Sequence, residues 1–154
     1  MEVASAAKTR DDSAAMKRTA SAVWQGSLQE GKGALTMQSG VFTEQPYSFR
    51  SRFGDGTETN PEEMIAAAHA GCFTMALSLF LGNAGFTADK LETKAMLTLD
   101  QEKLAITAIH LDLTGSVPGL DAEKFAAIAA EAKANCPVSK VLNAEITLTT
   151  TLAD

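Results

Sequence analysis

A chain of 154 residues with 13 Lys plus Arg against 19 Asp plus Glu, a net charge of -6 and 45% apolar residues is large enough for one buried core and ordinary for a globular domain. The acidic balance offers nothing to a phosphate backbone, so nucleic acid is not an expected partner. No run approaches the ~18 uninterrupted apolar residues of a membrane span; the most apolar stretch, Met64 to Phe86, is crossed by His69, Ser78 and Asn83 and reads as a buried helix.

Residues 1–16 carry Lys8, Arg10, Asp11 and Asp12 among Ala, Ser and Thr, with no apolar run behind them. That is unlike a secretory signal and predicts a flexible extension ahead of a single domain over 17–154. A cytoplasmic setting is the expectation. There the two cysteines, Cys72 and Cys136, are chemical or simply buried rather than a permanent staple.

Three short extended segments come first. Thr19 to Leu28 contains Val23 and Trp24, and Gly33 to Met37 follows a Gly31-Lys32-Gly33 turn at hairpin spacing. After Pro46, the aromatic residues Tyr47, Phe49 and Phe53 alternate with Ser48, Arg50 and Arg52, a period of two that predicts a third strand with one apolar face. Arg52 then lies opposite that face, or at the rim before Gly54.

Asn60 is a good N-cap, Pro61 stands where a missing N–H costs nothing, and Glu63 is three residues past the cap. The helix they open is expected to run to about Asn83, with Met64, Ala68, Cys72, Met75 and Leu79 recurring on one face. Ala66, Ala67, Ala68, Ala70 and Gly71 precede the cysteine. Such small side chains admit close neighbours, so this helix is expected to be central and packed on several sides.

Two strands follow, Leu91–Leu99 and Leu104–Leu113, joined by a turn at Asp100 to Lys103. In the second, Ile109, Leu111 and Leu113 alternate with His110, Asp112 and Thr114. Asp121 opens another helix with Phe125, Ile128, Ala129 and Ala132 on its inner stripe, ending near Asn135. Cys136-Pro137 begins a short helical turn, and Ile146, Leu148 and Thr150 close the chain as a strand. Strands before and after a pair of helices predict an α+β fold, in which helix covers antiparallel sheet.

Cys72, within an apolar helix, reads equally as a small buried hydrophobe or as a reactive thiol. Cys136, before a proline at a helix start, stands where free N–H groups favour a thiolate, although a packing residue at a junction would look the same. Glu62 has no capping duty, and ten residues separate it from Cys72, about 15 Å along a helix. Arg52 could bridge that distance, held by Glu62 and directed at the thiol; an ordinary surface ion pair is the plainer account. His69 and His110 are conceivable bases that read first as core or loop histidines. No His, Cys and Asp spacing suggests a metal site.

The stretches Gly31-Lys32-Gly33, Ser39-Gly40-Val41, Gln45-Pro46-Tyr47, Thr59-Asn60-Pro61-Glu62-Glu63, Ala66 through Ser78 and Asn135-Cys136-Pro137-Val138-Ser139 together resemble the osmotically inducible protein C and organic hydroperoxide resistance superfamily, over about residues 18–152. The position of the arginine resembles the osmotically inducible protein C branch. The resemblance implies an intertwined homodimer, with two long cysteine-bearing helices at its centre, antiparallel sheets around them and active sites at the subunit interface. It implies a peroxidatic Cys72, a resolving Cys136, a catalytic Arg52 and a Glu62 that holds it. The implied reaction reduces organic hydroperoxides through a Cys72 sulfenic acid and a Cys72–Cys136 disulfide, reset by a dithiol such as dihydrolipoamide or a lipoyl protein. No metal, haem or flavin is implied. The competing expectation is a non-catalytic stress or small-ligand-binding protein on the same fold.

Overall fold

The structure, a computed structural model, describes residues 15–154; most of the extension expected at 1–16 lies outside the described residues. The first unit is a three-stranded antiparallel sheet of β1 (Ala20–Gln25), β2 (Lys32–Met37) and β3 (Gln45–Tyr47), in that order. Gly33 in the central strand faces the rings of Trp24 and Tyr47, and a Cβ there would stand 2.7 Å from Trp24 Cε3.

The third strand is shorter than the alternation of aromatics suggests. It stops at Tyr47, and residues Phe49–Phe53 form a short helix, α1. Ser48 caps it by accepting from Ser51 N–H while the Ser51 hydroxyl accepts from Ser48 N–H. Phe49 and Phe53 are four residues apart, a spacing that suits one helix face as well as one strand face, and their ring centroids are 5.1 Å apart. Period alone could not separate the two.

The long helix α2 (Pro61–Asn83) begins at the expected cap: Asn60 Oδ1 accepts from Glu63 N–H at 2.7 Å. The Glu63 carboxylate, however, accepts from the Thr59 hydroxyl and does not return to the cap N–H. Helix α2 is apolar on all sides, with a mean hydropathy of 1.8 over its most apolar window, long and apolar enough by that measure to cross a bilayer. The face that the chain itself buries carries Glu62, His69, Phe73, Leu77 and Leu81. Met75 and Leu79, expected on the inner stripe, point outward at 77% and 61% exposure. A helix without a polar face gives periodicity nothing to choose by.

That buried face lies on the second sheet, β4 (Lys90–Asp100), β5 (Ala105–Ser116) and β6 (Glu145–Leu152), and against α3 (Ala122–Asn135). Ile109, Leu111 and Leu113 alternate inward as expected and are fully buried with Phe73, Leu77 and Phe125. The sheet is mixed: β4 and β5 pair antiparallel, but β6 pairs parallel to β5. This corrects the expectation of wholly antiparallel sheet. The chain leaves β5 through α3 and a short α4 (Pro137–Val141), and a helical crossover returns a strand in the parallel sense. The result is α+β, with helices on one face of the second sheet.

Candidate redox site

Cys136 stands at a junction. It is the C-cap of α3 and the N-cap of α4, with Pro137 at the first helical position. The turn carries its side chain into the core, where it is fully buried, beside Cys72, which packs at the edge of the same cluster and is partly exposed. Both cysteines are free thiols. Residues 64 positions apart in sequence thus meet, because α4 lies against the middle of α2.

The two sulfurs sit in unequal surroundings. Burial pushes the Cys72 thiol up, proximity to Cys136 pushes it further, and only the Val138 N–H pulls it back. Burial opposes the Cys136 thiolate as well. There it is outweighed by Cys72, by the Ser139 N–H and hydroxyl and by the Val138 N–H, and the pKa of Cys136 falls below the ordinary thiol value. Within one chain, negative charge on the pair is therefore favoured on the enclosed sulfur.

His69 lies one turn before Cys72 on α2 and is fully buried; its Nε2 is 2.7 Å from Ser139 Oγ, and its Nδ1 has no partner among the described residues. Burial alone lowers its pKa. The sequence offers His69 as a conceivable base that reads first as a core histidine, and it gives Ser139 no task. The signal available was the Cys-Pro-Val-Ser run, which puts a hydroxyl one helical turn past a cysteine.

Arg52 and Glu62 form a second cluster at the start of α2. Arg52 Nε and an Nη both lie 2.9 Å from Glu62 Oε1. This is a fork on one oxygen, and Glu62 Oε2 is buried without a partner among the described residues. Arg52 sits in the last turn of α1, with its guanidinium 5.2 Å from the centre of the Phe53 ring. A pocket of about 240 Å³ opens beside it, lined by Trp24, Leu28, Tyr47, Phe49, Arg52 and Phe53. The ten residues from Glu62 to Cys72 keep the carboxylate and the thiol about 15 Å apart along the helix axis. One chain therefore carries two half-sites, a dithiol and a held guanidinium. His110, the other histidine considered, lies between the hydroxyls of Thr147 and Thr149 on the outer face of the second sheet. Among the described residues no group of three or more His, Cys, Asp or Glu gathers as a metal site.

Two free thiols thus meet at a helix junction in a two-sheet α+β chain. The OsmC-like protein family matches residues 54–151, and the chain belongs to that family. It is 53% identical over 127 residues to the peroxiredoxin OsmC of Escherichia coli, covering 81% of this chain and 89% of that one. It is 32% identical over 106 residues to the organic hydroperoxide resistance protein of Xanthomonas axonopodis pv. citri, covering 65% and 69%. Among solved structures, the organic hydroperoxide resistance protein OhrB of Bacillus subtilis matches with a TM-score of 0.60 and 26% identity over 86% of this chain and 98% of that one. An OsmC-like protein of Vibrio cholerae shares the fold alone, with a TM-score of 0.70 at 14% identity over 88% and 99%. A redox role linked to hydroperoxides follows from this membership.

Proposed function

We propose that the protein is a two-cysteine thiol peroxidase in which Cys72 attacks an organic hydroperoxide and Cys136 resolves the product. The observation that carries this reading is the contact of two free thiols with different access. A peroxide from solvent can reach the partly exposed Cys72, whereas Cys136 is sealed in the core. The Cys72 thiolate displaces alkoxide from ROOH and becomes a sulfenic acid, and the alkoxide leaves as alcohol. Cys136 then displaces the hydroxyl as water and forms the disulfide, which an external dithiol such as dihydrolipoamide or a lipoyl protein reduces by exchange.

Cys72 needs a cation, because its own surroundings favour the neutral thiol. Arg52 is fixed for that task by Glu62, and preorganised positive charge would stabilise both the thiolate and the departing alkoxide. In this reading the Arg52 of a partner subunit reaches Cys72, and the aromatic pocket beside Arg52 takes the alkyl part of the peroxide. Phe73, next to Cys72 in sequence, is a fully buried core residue and does not line that pocket. One equivalent of cumene hydroperoxide should convert the protein to an intramolecular Cys72–Cys136 disulfide, seen as the loss of two hydrogens in the intact mass. Cys72→Ser should show no such change. Unchanged thiols in the parent would favour a non-catalytic ligand-binding protein instead.

A further inference from the structure

Disulfide formation on this reading poses a proton problem. The Cys136 thiol must lose its proton as it attacks the Cys72 sulfenic acid, and the hydroxide leaving Cys72 must gain one. Cys136 is fully buried, so bulk water cannot take the proton directly. Ser139 stands three residues after Cys136, in the first turn of the helix α4 that Cys136 begins, and its hydroxyl favours the Cys136 thiolate; the same oxygen is 2.7 Å from His69 Nε2. His69 is itself fully buried, has an unpartnered Nδ1, and stands three residues before Cys72 on α2, a spacing that makes the two side chains neighbours.

We propose that Ser139 and His69 form a two-link proton relay for the resolving step, with the Ser139 hydroxyl touching the Cys136 sulfur and His69 acting through it as a positioning base. The inference rests on the peroxidase reading above. In the reduced state His69 carries its proton on Nδ1; Nε2 accepts from the Ser139 hydroxyl, whose oxygen faces the Cys136 S–H. As the Cys136 sulfur bonds to the Cys72 sulfur, its proton moves to Ser139 Oγ and the Ser139 proton moves to Nε2. The Cys72 S–O bond breaks, and the departing hydroxide takes the Nδ1 proton of the imidazolium to leave as water. The sulfenic-level sulfur of Cys72 and the thiol-level sulfur of Cys136 become a disulfide, and the sulfenic oxygen leaves in water. Ser139 regains its hydroxyl, and His69 is left neutral with its proton on Nε2, returning to the Nδ1 tautomer by proton exchange before the next turnover.

Burial supports this use of the histidine. It keeps His69 neutral before the step, and an imidazolium there, with no acceptor for Nδ1–H, gives its proton up readily. The other ionisable groups on the packed elements are engaged or turned away: Glu62 holds Arg52, Lys133 Nζ donates to the Ile146 carbonyl, Lys90 pairs with Glu92, and Lys140, Glu131 and Lys94 are exposed.

Rapid-quench mass spectrometry with dimedone present measures oxidation of Cys72 and closure of the disulfide separately. In Ser139→Ala, closure should fall about tenfold or more relative to oxidation, so that dimedone captures a sulfenic acid that the parent consumes. Ser139→Thr, which keeps the hydroxyl, should restore closure, and the solvent deuterium isotope effect on closure should vanish in Ser139→Ala. His69→Gln should resemble Ser139→Ala. Parental closure in Ser139→Ala would overturn the relay, as would a slow Ser139→Ala with an undiminished isotope effect and no rescue by threonine. A parent that forms neither sulfenic acid nor disulfide would instead remove the peroxidase reading on which the relay stands.

Discussion

Both nitrogens of Arg52 that reach Glu62 close on one oxygen, which leaves the other carboxylate oxygen without a partner among the described residues. The arginine side chain is 42% exposed, so solvent screening limits the net stability of the pair to about 1 kcal/mol or less. Its rigidity has more consequence than its strength: a fork on one carboxylate oxygen fixes the plane of the guanidinium. Arg52→Lys keeps the charge but not the plane, and should lower the second-order rate of Cys72 oxidation by about tenfold while moving the melting temperature little. Stopped-flow oxidation with cumene hydroperoxide, beside a thermal melt, checks both halves. His69 belongs at the same scale. Its pKa is lowered in the folded state from the ordinary 6.5, so below that value the unfolded chain binds a proton that the folded chain resists. Stability from this residue is therefore intact above about pH 6.5 and declines as pH falls from there through the lower folded value. The Asp55 and Glu92 carboxyls, also lowered by their Arg50 and Lys90 partners, lose their contribution only below the ordinary carboxylate range. Denaturant melts from pH 7 to 5 should show a decline that His69→Gln flattens. The two cysteines and Glu62 were legible as candidates because short motifs carry them, and Arg52 because it stands just before the helix that Glu62 opens. The contact between His69 and Ser139 was not, since they stand 70 positions apart and, although the Cys-Pro-Val-Ser run sets a hydroxyl near a cysteine, no spacing links that run to His69.

Elements were legible wherever pattern and cap agreed, and misread where one spacing serves two structures. Asn60-Pro61 placed the start of α2, and the alternation of Ile109, Leu111 and Leu113 gave the inner face of β5. Phe49 and Phe53 fit strand and helix alike, and the reciprocal Ser48–Ser51 cap decides for helix. The parallel return of β6 was hidden because strand order is a property of the crossover and not of the strand's own residues. Two substitutions test what holds the elements in place. Asn60 caps α2 and also donates from Nδ2 to the Ser51 carbonyl, tying α1 to the helix that carries Glu62. Asn60→Ala should cost about 1 kcal/mol in denaturant unfolding and lower the Cys72 oxidation rate by loosening Arg52. Gly115 in β5 stands under Phe125, where a Cβ would lie 2.5 Å from the ring Cζ. Gly115→Ala should cost about 1–3 kcal/mol by overpacking, while the relative rates of oxidation and closure stay as in the parent.

At the scale of the molecule, the two sheets stand apart. Among the described residues, the first sheet packs on itself, and no substantial contact joins it to the second sheet or to α3. A three-stranded sheet alone is a marginal structure, and here it leaves Val23, Leu28 and Val41 exposed, while α2 leaves Met75 and Leu79 open. In the intertwined homodimer that the resemblance implies, the open face of α2 would be covered by the same face of a second α2, and each first sheet by the other subunit. The same arrangement would join the two half-sites, bringing the guanidinium of one chain to the dithiol of the other. Mixed dimers decide this. When a Cys72→Ser chain and an Arg52→Ala chain with different tags are expressed together and the doubly tagged species is purified, each parent homodimer is inactive. If Arg52 acts across the interface, the mixed dimer regains one working site, built from Cys72 of the Arg52→Ala chain and Arg52 of the Cys72→Ser chain. If Arg52 acts within its own chain, both sites of the mixed dimer are broken and peroxide consumption stays at the background of the homodimers. The geometry of α2 favours the first outcome, since Glu62 anchors Arg52 nearly three turns from the thiol of the same helix. An inactive mixed dimer of normal mass and stability would require α1 to swing along its own α2 instead.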